Sequence, residues 1–176
     1  MTTDNLMLIG ELPDFPPQVS RLVSMLNYVR HTTVAAVTGL SMQELDHQYD
    51  ATSNSIGALL LHIGAAEAGY QVATFESRDL SVDERSEWGA ALELGERART
   101  DIRGHELPFY LARLEQVRAK TLAELSRRSD QWLDEATSAS SGRRVNNYFK
   151  WFHVLSHEVN HRGQIRWLRS RMPKAL

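Results

Sequence analysis

The chain has 176 residues, a formal net charge of −2 and 42% hydrophobic residues, which fits one domain with a core of its own. Its arginines cluster only as the pairs Arg127-Arg128 and Arg143-Arg144, so no concentrated basic surface points to nucleic acid or an anionic membrane. The absence of cysteine removes disulfides, thiolate metal sites and a cysteine nucleophile.

The leader, residues 1–16, reads as irregular. Its apolar run stops at Ile9 without a basic stretch before it, too short for a signal sequence or a membrane span. A cytoplasmic protein is expected. After Pro16-Pro17, Val19, Leu22, Val23, Leu26 and Val29 recur at helical spacing and predict a first helix over about 18–38. Gly39 is a plausible stop, and Ser41-Met42-Gln43-Glu44 matches a capping box before one short turn. A second helix is expected over about 55–76. Its small residues, Gly57, Gly64, Ala65, Ala66, Ala68 and Gly69, suggest close packing against a neighbour.

Ser81-Val82-Asp83-Glu84 is a second capping box and predicts an extra short helix over about 82–99. Pro108 suits a helix start, and Leu111, Leu114, Val117, Leu122 and Leu125 mark a long helix over about 108–129. Ser138 to Gly142 reads as a loop, and a last helix is expected over about 145–171. No alternating pattern marks a strand. Four long helices with modest connections make an all-α four-helix bundle, a known setting for metal sites built from facing helices.

The last helix carries His153, His157 and His161. Four residues is just over one turn, so the three imidazoles form one row. Seven histidines placed at random in such a chain give roughly 0.3 pairs at this spacing and about 0.01 such triplets. Neighbouring imidazoles one turn apart are a common way to hold a transition metal. Over eight residues the row drifts by about 80°, so one ion cannot take all three. His157 and His161 are the chosen pair, with His153 one turn away beside the pocket. The third ligand is expected to be His62, a polar ring among Leu59, Leu60, Leu61 and Ile63 that needs a partner once buried. His31, His47 and His105 lack partners in sequence. Three neutral imidazoles suit zinc, nickel, copper or iron rather than magnesium or calcium. Three protein ligands also leave a position open for water or substrate.

His157-Glu158-Val159-Asn160-His161 also fits the H-E-x-x-H pattern of zinc proteases, with Glu158 as general base. The surroundings oppose that alternative. Where the metzincin extension needs glycine and a third histidine the chain has Gln164 and Trp167, and no acidic residue follows His161.

The segments Ser55-Ile56-Gly57 to Leu61-His62-Ile63, with Glu67 five residues on, and His153 through Ile165, with its His-Arg-Gly-Gln ending, resemble the DinB superfamily of helical bundles. The resemblance implies an up-down-down-up four-helix bundle, often a homodimer, with a divalent metal, zinc or nickel, on His62, His157 and His161. Members include metal-dependent transferases that use a low-molecular-weight thiol cosubstrate such as bacillithiol, mycothiol or glutathione. Glu67 matches a frequent family acid, but it lies about 140° around the helix from His62, so packing or capping serves equally. Arg162 and Gln164 are expected to support the pocket or bond other helices. The 82–99 segment matches no family feature and reads as a lid or a surface elaboration.

Three functions stay open at this point. One is an enzyme on a small-molecule substrate, a thiol S-transferase or a metal-dependent hydrolase. The second is a non-catalytic metal-binding stress-response bundle. The third is a histidine row without metal.

Overall fold

The structure, a computed structural model, describes residues 6–10, 12–138 and 142–172. Residues 1–5 and 11 of the leader, and 139–141 of the loop expected at 138–142, lie outside them. It is an all-α bundle. Helix α1 is Pro17–Val37, α2 Met42–Asp46, α3 Ile56–Gln71, α4 Val82–Glu93, α5 Gly95–Asp101, α6 Leu107–Leu125, α7 Asp130–Asp134 and α8 Asn147–Arg169. A π-helical turn, Val72–Glu76, extends α3.

Side chains just outside the helices fix where they begin. Pro17 opens α1, where its missing N–H is not needed. Ser41 and Ser81 start α2 and α4 with complete capping boxes, through Glu44 and Glu84. Ser55 accepts from the Ala58 amide at the head of α3, and Asn146 accepts from the Phe149 amide at the head of α8.

Long-range bonds give the directions of the four long helices. Arg162 donates to Thr32, and Arg169 Nη1 to the Ala36 carbonyl at 2.7 Å, so α1 and α8 run the same way. Gly57 lies against Tyr110, Gly64 against Leu114, and Gln71 donates to the Val117 carbonyl, so α3 and α6 run together. The pairs His62–His157 and Tyr70–His153 set α3 antiparallel to α8.

Two apolar clusters fill the interior. One gathers Val37, Leu45, Ile56, Leu60, Tyr110 and Ile165 with their neighbours. The other holds Val19, Leu22, Leu26, Leu125, Leu133 and Trp151.

Two expectations need correction. The segment read as one helix over 82–99 is two helices, broken at Leu94, which has φ 55° and ψ −151°. And a two-stranded ribbon exists: β1, Ala136–Ser138, pairs antiparallel with β2, Arg144–Asn146. Runs of three residues are too short for an alternating pattern to register.

The small residues of α3 do bring helices close. A Cβ on Gly57 would fall 2.5 Å from Tyr110 Oη, whereas one on Gly69 would meet nothing within 4 Å. Gly57→Ala should therefore destabilise by about 1–3 kcal/mol, while Gly69→Ala should be neutral or gain up to about 1 kcal/mol. Thermal unfolding of the two variants checks the contrast: equal melting temperatures would contradict the close approach.

Candidate metal centre

His62 stands midway along α3, and His157 and His161 lie one turn apart on α8. Antiparallel packing of these helices brings the rings together. His62 Nε2 lies 3.0 Å from His157 Nε2, and His161 Nε2 lies 3.1 Å from His157 Nε2. All three could offer one nitrogen to a common ion, with the ligand atoms within 4.8 Å of one another. Nitrogens bound at 2.0–2.1 Å to one tetrahedral zinc would sit about 3.3 Å apart, close to the two distances that His157 makes.

The far side of two rings is anchored. His62 Nδ1–H donates to the Ala91 carbonyl at 2.7 Å. His161 Nδ1–H donates to Gln164 Oε1 at 2.9 Å. Each bond places the proton on Nδ1 and leaves a lone pair on Nε2, the arrangement in which histidine ligates. Two unprotonated nitrogens therefore face His157 Nε2, which has one proton at most to share while neutral. A cation satisfies all three.

Electrostatics keep the rings neutral. Burial depresses the pKa of His62, and the bond to Ala91 offsets only part of this. Burial likewise lowers His161, against the bond to Gln164. For His157, burial and then repulsion from His161, His62 and His153 bring it down to about 3. His153 is exposed, its ring 6.0 Å from that of His157 and 5.7 Å from Tyr70. It stands beside the trio and is not part of it. Of the remaining histidines, His105 stacks on Phe109 and His31 is exposed.

Glu67 and Glu158 do something the sequence did not reveal. Both are buried, at 0% and 1% exposure, and both pair with two arginines. Arg30 reaches Glu158 Oε1 and Glu67 Oε2, each at 2.8 Å. Arg118 reaches Glu67 Oε1 at 2.7 Å and Glu158 Oε2 at 3.2 Å. The guanidiniums also donate to the Leu114 and Leu26 carbonyls, and Thr121 donates to Glu67. So Glu158 is a buried, hydrogen-bonded helix residue, and Glu67, expected to pack or cap, is a buried ion-pair partner. A carboxylate held by two guanidiniums is a poor general base, which removes the physical basis of the protease alternative.

Arg30 and Arg118 were missed, yet a signal was there. Arg30 falls on the apolar stripe of α1, four residues after Leu26 and three before buried Thr33, and Arg118 falls four after Leu114 and three before Thr121. A charge at a stripe position asks for a buried partner.

A cavity of about 520 Å³ is lined by Leu59, Asn160 and Gln164, neighbours of the trio, but by none of the three histidines themselves. Thr52, Ser53, Asn54 and Trp167 also line it. Among the described residues no charged side chain lines it. The 82–99 segment has a defined role here: α4 supplies the Ala91 carbonyl that orients His62. Arg162 bonds across to α1 and Gln164 holds His161.

Burial favours neutral Glu67, but Arg118 and Arg30 outweigh that and hold it down at about 2, against an ordinary 4.5. Its stabilising effect is present above the unfolded value and fades as pH falls from 4.5 towards about 2. Glu67→Gln should lose about 3–5 kcal/mol near neutrality, with a flatter stability profile through that acidic window. Urea unfolding at a series of pH values tests this: parallel profiles for wild type and variant would contradict it.

Comparison with curated proteins finds no match. The model of the mycothiol-S-transferase family matches residues 21–173, a span that holds α3, α6 and α8 and all of α1 but its first turn, with the three clustered histidines and both buried ion-paired glutamates. On that match the chain belongs to the mycothiol-S-transferase family, within the DinB-like superfamily.

Proposed function

We propose that the protein is a metal-dependent S-transferase that joins a low-molecular-weight thiol, mycothiol in the first instance, to a small electrophile. In this reading His62, His157 and His161 hold one divalent transition metal, zinc or nickel. The observation that carries it is the convergence of three Nε2 atoms, two with their tautomers fixed from behind. When bound, such a metal accepts the thiol sulfur as thiolate and so lowers its pKa to supply a nucleophile at neutral pH.

The chain's own residues do the rest. Ala91 and Gln164 hold the rings that would ligate, so little reorganisation is needed on binding. The trio is only half-buried, and a cavity is lined by its neighbours Leu59, Asn160 and Gln164; the incomplete burial favours an open coordination position over a sealed structural site. The hydroxyl and amide groups on the cavity wall suit an uncharged, hydrogen-bonding thiol better than one bearing several carboxylates, for which the wall offers no cationic partner among the described residues. The chain has no cysteine, so the reacting sulfur comes from the cosubstrate alone.

Elemental analysis of untagged protein supplemented with zinc or nickel should give about one metal per chain. His62→Ala should weaken zinc binding as much as His161→Ala, each by more than about 100-fold. A conjugation assay with one reactive electrophile should run faster with mycothiol than with glutathione and stop on chelation. Metal content near zero, or conjugation indifferent to chelator, would overturn the reading.

A further inference from the structure

Residues 82–99 read as one helix, yet the backbone breaks between α4 and α5. Leu94, at φ 55° and ψ −151°, occupies a region that is essentially glycine's alone. In an unbroken helix the Gly95 N–H would donate to the Ala91 carbonyl, four residues back. Both groups are instead taken by side chains. Gly95 N–H donates to Asn54 Oδ1 at 3.0 Å, and the Ala91 carbonyl accepts from His62 Nδ1–H at 2.7 Å. Of the backbone groups that the break frees, this donor and this acceptor are each satisfied by a residue from outside.

We propose that Asn54 is a positioning residue for the metal centre: by capturing the Gly95 amide it keeps the α4–α5 junction open, and the Ala91 carbonyl stays free to hold His62 with Nε2 turned towards His157 and His161. Restoring the helical bond would draw that carbonyl along the helix axis, and His62 would at best share it. Ala91 is 3% exposed, so water is no ready substitute.

The loop that carries Asn54 is tied down just before it. Asp50 Oδ1 accepts from the Thr52 amide, the Thr52 hydroxyl and the Ser53 amide, each at 2.8 Å. Arg99 Nη1 donates to the Thr52 carbonyl at 3.0 Å, which ties α5 to the same loop. On the other side α4 rests on α3, with Trp88 over Gly64. The loop, the junction and the histidine form one connected path.

The effect on metal rests on the function proposed above; the effect on His62 does not. Nitrogen NMR of the imidazoles in metal-free protein and a zinc competition titration, on wild type, Asn54→Ala and Asn54→Asp, separate the two. Wild-type His62 should be in the Nδ1–H form. Asn54→Ala should shift it towards Nε2–H and weaken zinc binding by about 10- to 100-fold, while Asn54→Asp, which keeps an acceptor oxygen, stays within about threefold of wild type. Wild-type His62 in the Nε2–H form, unchanged zinc affinity in Asn54→Ala, or an equal loss in Asn54→Asp overturns the proposal. Should Asn54→Ala fail to fold, hydrogen exchange at Gly95 in wild type decides: a protected amide supports the capture and a freely exchanging one refutes it. Should wild type bind no zinc, the proposed function fails and the tautomer comparison alone judges the role of Asn54.

Discussion

Two guanidiniums and two carboxylates, closed off from water at the middle of the bundle, constrain how its four long helices can meet. Arg30 comes from α1, Glu67 from α3, Arg118 from α6 and Glu158 from α8. Each arginine touches both glutamates. Removing ions from water is costly, and only near-complete pairing and hydrogen bonding offset that cost. The carbonyls of Leu26 and Leu114 and the hydroxyl of Thr121 take up the remaining hydrogen-bonding capacity. Apolar contacts tolerate small slips of one helix along another; this network does not, because a shift of one turn would leave a charge buried and alone.

The fixed register is what makes the histidine trio possible. Glu158 follows His157 directly, and Glu67 lies five residues beyond His62. Once the arginines draw the two glutamates together, antiparallel α3 and α8 can only pass each other with His62 level with the His157–His161 turn. The network lies between the two apolar clusters along α1, α6 and α8, whose flanking residues belong to one cluster or the other. The trio lies about 140° around α3 from Glu67, towards the surface and the cavity. One polar layer holds the frame, and the other stays accessible.

How much of this the sequence disclosed depended on the kind of signal. The histidine row and the isolated ring of His62 stood out, because polar groups recurring on one face or placed in an apolar run contradict the pattern around them. The helices α1, α3, α6 and α8 showed through periodicity, and Ser41 and Ser81 through their capping boxes. Arg30 and Arg118 were overlooked because an arginine between apolar residues is usually read as pointing to solvent; only the stripe spacing reveals otherwise. The break at Leu94 had no local cue beyond Gly95. The partner that stabilises it, Asn54, is 41 residues away, and such a tertiary bond is invisible to any window of sequence. The Asn160 and Gln164 walls of the cavity depend in the same way on which face α8 turns outward.

The division of labour among charges bears on the chemistry proposed for the trio. A carboxylate ligand would cancel part of a divalent cation's charge and repel an incoming thiolate. Three neutral imidazoles leave that charge whole. Two carboxylates lie within a few residues of the ligands in sequence, yet both are spoken for by guanidiniums of equal and opposite charge. They would neither reach an ion held by the trio nor present a net negative charge to a thiolate bound there. The bundle thus uses its acids to fix geometry and keeps them away from the trio, which suits a chain bearing H-E-x-x-H to the proposed thiolate chemistry, whereas a protease with the same five residues would need its glutamate free.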